Sequence, residues 1–163
     1  MSGLYSFRTL APEDLPMLRT WLATPEALRW WGDPSTELVL IEEDLANEAM
    51  RQWIVSHDDR PFGYAQAYEV HAWPQPHLAE LPQGAIAVDA FIGVPHMIGQ
   101  GHGAGFLRLL AEKLLDEGAP LIVIDPAPEN SRARRVYQKA GFHDLREAET
   151  EGGPVILMAF SRG

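Results

Sequence analysis

The sequence predicts a mixed α/β fold: one central sheet with helices packed against it, in the order βααβββαβαββ. Three observations carry this. Short apolar runs of strand length alternate with segments whose apolar residues recur at helical spacing. Glycine, proline and aspartate punctuate the joints between them. The 163 residues, 46% apolar and 22% charged, suit a single globular domain, residues 1–163, with no internal repeat and no long linker.

Each element has its own warrant. Tyr5 to Leu10 reads as a short opening strand. Ala11-Pro12-Glu13-Asp14 starts a helix, with proline and acids in the first turn, and Leu15, Leu18, Trp21 and Leu22 share one face. Leu28 to Pro34 reads as a turn carrying two adjacent indoles, Trp30 and Trp31. A second helix covers about Thr36 to Asn47. Gln52 to His57 and Phe62 to His71 form a hairpin around Asp58-Asp59-Arg60-Pro61. Ala72 to Gly84, with Pro74, Pro76 and Pro82, is a loop. Ala85 to Ile92 is an apolar strand broken only by Asp89. After the glycine-containing turn Gly93 to Gly101, Gly103 to Glu117 is a helix with Phe106, Leu107, Leu110, Ala111, Leu114 and Leu115 on one side, stopped by Gly118. Leu121 to Ile124 is a buried strand, Asn130 to Ala140 a helix closed by Gly141. Strands near Phe142 to Glu147 and Val155 to Phe160 flank Gly152-Gly153.

Composition excludes several functions. There is no cysteine, so disulfides, thiolate metal sites and cysteine nucleophiles are ruled out together. The six histidines show no His-x-x-x-His pair, so no metal site is expected. No Gly-x-Ser-x-Gly elbow of a serine hydrolase occurs. Thirteen basic against 23 acidic residues give a net charge of −10. That field repels nucleic acid and anionic membranes and attracts cations. No apolar run is long enough to span a bilayer, and Met1 to Leu10 lacks the pattern of a signal peptide, so a cytoplasmic protein is expected, a monomer or homodimer.

Gln100-Gly101-His102-Gly103-Ala104-Gly105 stands between the apolar strand and the best helix. Glycines admit close approach of a ligand to the backbone, and a helix start offers N–H groups and the positive end of its dipole, which suits a phosphate. A P-loop is excluded, because no Lys-Ser/Thr follows. A dinucleotide fold is disfavoured: Phe106 stands where its third glycine is needed, and Pro126-Ala127-Pro128 follows Asp125.

The pattern Gln-x-x-Gly-x-Gly at Gln100 to Gly105 resembles the acetyl-CoA pyrophosphate loop of the GCN5-related N-acetyltransferases (GNAT). Asn130-Ser131-Arg132-Ala133 through Tyr137-Gln138-Lys139-Ala140-Gly141-Phe142 is similar to that family's later helix, and the element order agrees. Trp30-Trp31-Gly32, Phe62 to Tyr68, Val88-Asp89 and Ile124 to Asn130 further resemble the aminoglycoside 6'-N-acetyltransferases. The loop Ala72 to Gly84 departs from them, offering only Glu80 where such enzymes carry several acids. Related enzymes that acylate lysine-type amines in siderophore assembly share the tryptophan pair and the Ile98 to Gly105 stretch, so the acceptor amine stays open, a protein N-terminus included. A non-catalytic sensor of acyl-CoA or an aminoglycoside is the reading of another class.

The resemblance implies acetyl-CoA as co-substrate, held at Phe91, Ile92, Ile98, Gln100, Gly101, His102, Gly103, Ala104, Gly105, Asn130 and Ala133. It implies an amine held at Trp30, Trp31, Tyr68, Glu80 and Asp125, with catalysis by Asp89 and Tyr137. The residues carry their own arguments. An ammonium cannot attack a thioester, so a carboxylate such as Asp89, costly in an apolar strand unless paired or used, suits proton removal or anchoring. A phenol such as Tyr137 can protonate a departing thiolate. Each has a plainer alternative: a paired aspartate, a tyrosine packed for its ring, Asn130 as a helix cap, Asp125 as a turn residue, Trp31 as core. With no cysteine to carry an acyl group, attack is expected to be direct, in a ternary complex.

Overall fold

The computed structural model describes residues 5–162. Met1 to Leu4 of the segment inspected for a signal peptide lie outside them. The strands are β1 (Tyr5–Thr9), β2 (Met50–His57), β3 (Arg60–Glu69), β4 (Ile86–Ile92), β5 (Ile122–Ile124), β6 (Phe142–Thr150) and β7 (Gly153–Phe160). The helices are α1 (Leu15–Leu22), α2 (Pro25–Trp30), α3 (Pro34–Asp44), α4 (His102–Asp116) and α5 (Ser131–Ala140). The fold is mixed α/β, with a seven-stranded sheet in the order β1-β2-β3-β4-β5-β7-β6.

One element differs from the expected order. The segment read as a turn around Trp30 contains α2, so three helices, not two, separate β1 from β2. Pro25 sits in its first turn, where a missing N–H costs nothing, and Thr24 precedes it in extended conformation. Ala27 is its only buried residue, so no apolar periodicity announced it.

The chain gathers into two compact units: residues up to Gln66 with Ala90–Gln100, and Ala67–Asp89 with the residues from Gly101 onward. In the first, β1 runs antiparallel to β2, with Tyr5 opposite His57 and Thr9 opposite Trp53. The β2–β3 turn holds Asp58 and Asp59 at φ 50° and 66°. Two left-handed residues in succession match the twist of a hairpin. Leu18, Trp21, Leu22, Leu38, Ile41, Ile54 and Tyr64 form the core of this unit. Gln52 is buried there, and its amide donates to Ile41 C=O (3.0 Å) and Tyr64 Oη (3.1 Å). The Tyr64 hydroxyl then donates to Gln66 Oε1 at 2.7 Å, so this buried polar chain is paired through. Gly93 follows β4 because a Cβ there would overlap the Trp21 indole.

In the second unit, β5 is parallel to β4 (Ile86 opposite Ile122) and antiparallel to β7 (Val123 opposite Ala159); β6 pairs antiparallel with β7. Helix α4 buries Phe106, Leu107, Leu110, Ala111 and Leu114, the face read from the sequence, and Gly118 follows it at φ 112°. The proline-rich loop after β3 is fastened rather than loose. The Glu69 carboxylate accepts from His71 N–H and Gly84 N–H, both at 2.8 Å, and so ties the two ends of the loop together. Val70, Leu78, Ala85, Ala87, Val123, Leu157 and Ala159 pack into the core of this unit.

Candidate active site

Helix α4 begins on Gly101, whose φ of 86° is left-handed and open to glycine at little cost. The first internal bond of the helix runs from Gly105 N–H to Gly101 C=O at 3.1 Å. The amides of Gly103 and Ala104 lie ahead of it, at the positive end of the helix dipole. Gly103 and Gly105 therefore belong to the helix itself, not to the turn that leads into it. Neither adds a side chain at the helix start, and Gly103 is itself buried. This cradle fits a pyrophosphate. Of the other expected cofactor residues, His102 opens α4, Ile98 follows a single 3₁₀ turn at Pro95–Met97, and Gln100 is exposed. Phe91 and Ile92 end β4.

Asn130 caps α5: its side chain accepts from Ala133 N–H at 3.2 Å. That occupies Oδ1 and leaves the Nδ2 donors for another partner. Both readings made from the sequence are thus compatible at Asn130, and Ala133 lies in the first turn that it caps.

Four side chains of the second unit form one electrostatic group: Tyr68 of β3, Asp89 of β4, Asp125 just beyond β5, and Tyr137 of α5. Burial, then the negative charges of Asp89 and Asp125, hold the Tyr137 phenol well above the ordinary tyrosine range. The Tyr68 phenol is raised by burial first, then by Asp89, with a smaller contribution from Asp125, against the opposing effect of a hydrogen bond from Gln75. Both tyrosines therefore stay protonated at neutral pH. The tyrosines are half-buried and so are the two aspartates. Two carboxylates acting on the same two phenols favour a cation and leave the phenols as donors.

Asp125 has a partner that the sequence did not suggest. Nε2 of His77 lies 2.9 Å from Oδ2 of Asp125, and the histidine side chain is 3% exposed. In the sequence His77 is one of six histidines without metal-ligand spacing. No local pattern joins two residues that lie 48 positions apart; the one available signal was a histidine set between the prolines and leucines of a short loop. Among the described residues, no group of three His, Asp or Glu is arranged to hold a metal ion.

The remaining expected substrate residues divide. Glu80 is exposed and forms an ion pair with Arg146 of β6. In the first unit, Trp31 packs edge-on against Phe91 (4.9 Å between centroids) and Tyr64 (6.1 Å). It joins the core cluster there while staying half-buried, and Phe91 is packed in the same cluster. Trp30 carries the Arg29 guanidinium over its ring at 4.7 Å.

The profile of a family described as Acetyltransferase (GNAT) domain matches residues 11–150. The chain belongs to this family of N-acetyltransferases. It is similar to the aminoglycoside N(6')-acetyltransferase type 1 of Klebsiella pneumoniae, with 31% identity over 170 residues that cover 96% of this chain and 83% of the relative. Among solved structures, AAC(6')-Ib in complex with coenzyme A and kanamycin superposes with a TM-score of 0.87 at 30% identity, covering 97% of this chain and 95% of that one. AAC(6')-Ib in a complex that includes acetyl-CoA gives the same TM-score at 29% identity, over 97% and 93% of the two chains.

Proposed function

We propose that this chain, acting as one GNAT domain, transfers acetyl from acetyl-CoA to the 6'-amine of an aminoglycoside, by direct attack in a ternary complex. The observation that carries this reading is the group formed by Asp89, Asp125, Tyr68 and Tyr137, in a chain 31% identical to an enzyme named for that reaction. Bound acetyl-CoA supplies an activated acetyl thioester; the start of α4 would hold its pyrophosphate and Asn130 Nδ2 its pantetheine arm.

The chain's own groups then have distinct tasks. Asp89 and Asp125 attract the polycationic amine and hold it by charge-assisted hydrogen bonds. Asp89 takes the proton that the ammonium must lose, directly or through a water. Tyr137 keeps its proton at neutral pH and delivers it to the leaving sulfur. Tyr68 offers a second phenolic donor to the bound amine. Holding both reactants in register supplies much of the acceleration. The reading takes the enzyme to be cytoplasmic. No helix among the described residues is long and apolar enough to cross a membrane.

The test is thiol release from acetyl-CoA with a panel of amines: kanamycin, a lysine-type amine, and a peptide with a free N-terminus. The reading expects kanamycin to be preferred by kcat/KM. Preference for the lysine-type amine or the peptide would move the protein to another acceptor, and silence with every amine would make it a binding module.

A further inference from the structure

We infer that His77 is a positioning residue for the acceptor amine: it fixes the Asp125 carboxylate so that one oxygen faces the substrate as its second ammonium anchor. The inference rests on the acetyltransferase reading above and concerns how that site selects a polycation. A carboxylate only accepts hydrogen bonds, so the contact at 2.9 Å requires a proton on His77 Nε2. That bond engages Oδ2. Oδ1 has no partner among the described residues, and the Asp125 side chain is 30% exposed while His77 is nearly sealed. One face of the carboxylate is thus held by protein and the other is left for a ligand.

The histidine is itself held. Arg146 of β6 donates from Nη2 to the carbonyl oxygen of His77 at 2.8 Å and pairs with Glu80 three residues on. Leu78, the next residue, is fully buried in the core of the unit. Glu69 ties both ends of the same loop. A loop fastened at its base and at its middle is a rigid arm, and its one buried polar side chain points at Asp125. A surface loop has no need of a sealed histidine on a half-exposed carboxylate. A binding site that must present one oxygen in a fixed direction does. The effect belongs in amine binding more than in the chemical step, because His77 touches neither Asp89 nor Tyr137 in the contacts observed.

The experiment uses the full chain with saturating acetyl-CoA and compares His77→Gln, His77→Leu, Asp125→Asn and the His77→Leu/Asp125→Asn pair. Glutamine keeps an N–H donor near the Nε2 position; leucine removes it. His77→Leu is expected to raise KM for kanamycin about tenfold, the size of a lost hydrogen bond to a charged group, with kcat changed less than about threefold and coenzyme A affinity unchanged. His77→Gln should recover most of that loss. In the Asp125→Asn background His77→Leu should add nothing, since the histidine acts through that carboxylate. In the unaltered protein, the NMR signal of the His77 Nε2 proton should shift on saturation with kanamycin, a reading that survives any folding defect in the leucine variant. Unchanged KM in His77→Leu, full additivity with Asp125→Asn, or an unmoved proton signal overturns the inference while wild-type turnover of kanamycin keeps the function standing. Absence of wild-type turnover with kanamycin removes both.

Discussion

Gln75 donates its side-chain amide to the Tyr68 hydroxyl at 3.0 Å. The phenol oxygen is used as an acceptor in that bond, and its proton remains to be given away. With Asp89 and Asp125 acting on the same ring, Tyr68 is a donor set beside two acceptors of cations, a mixture that suits a sugar amine with neighbouring hydroxyls. Tyr68→Phe should therefore raise KM for kanamycin by about three- to tenfold and leave the single-turnover rate at saturation nearly unchanged. Steady-state kinetics with varied kanamycin check it; a loss confined to kcat would assign Tyr68 to the chemistry instead.

Tyr137 should behave in the opposite way. Its proton is needed only as the thiolate departs, so Tyr137→Phe is expected to lower the single-turnover rate by about 10²-fold with little change in KM. Its raised pKa also has a consequence for stability. Folded, the phenol holds its proton more tightly than the ordinary value of 10.0 of the unfolded chain. The stability this contributes is complete below pH 10 and is lost as the pH rises toward the folded value. Between pH 9 and pH 11 the wild type should therefore lose more melting temperature than Tyr137→Phe. Equal losses would mean that the Tyr137 phenol titrates as freely in the fold as outside it.

Asn130 combines a cap with a free donor, and substitution can separate them. Asn130→Ala should cost about 1 kcal/mol of stability, the worth of an N-cap. Asn130→Asp keeps an accepting oxygen for the Ala133 amide but removes the Nδ2 donors. It should melt like the wild type and bind coenzyme A more weakly by calorimetry. Wild-type affinity in Asn130→Asp would leave Asn130 a cap alone.

Most of the fold was legible in the sequence, for physical reasons that can be named. The face of α4 was visible because five of its apolar residues are buried on one side at helical spacing. The hairpin at Asp58-Asp59 was visible because its turn chemistry is local. Helix α2 escaped because six residues with one buried alanine carry no periodic signal, although Thr24-Pro25 held the start signal. The candidate site divides in the same way. Asp89, Asp125, Tyr68 and Tyr137 were singled out through an out-of-place charge and a family pattern. The bond between His77 and Asp125, the Gln75 amide on Tyr68 and the grip of Arg146 on the loop were not, because each joins residues through the fold and not through a local pattern. Glu80, the one acid of the loop, was singled out from the sequence as a substrate residue, but its ion pair with Arg146 left no local trace.

The central claim is that a carboxylate-lined site in this chain presents one particular amine of an aminoglycoside to acetyl-CoA. The most direct measurement is the structure of the product: kanamycin and acetyl-CoA are incubated with the protein, and the position of the new acetyl group is read by NMR. The account predicts a single product acetylated on the 6' nitrogen, formed in step with thiol release. Acetyl on a different nitrogen, on a hydroxyl, or on no part of kanamycin at all would contradict it.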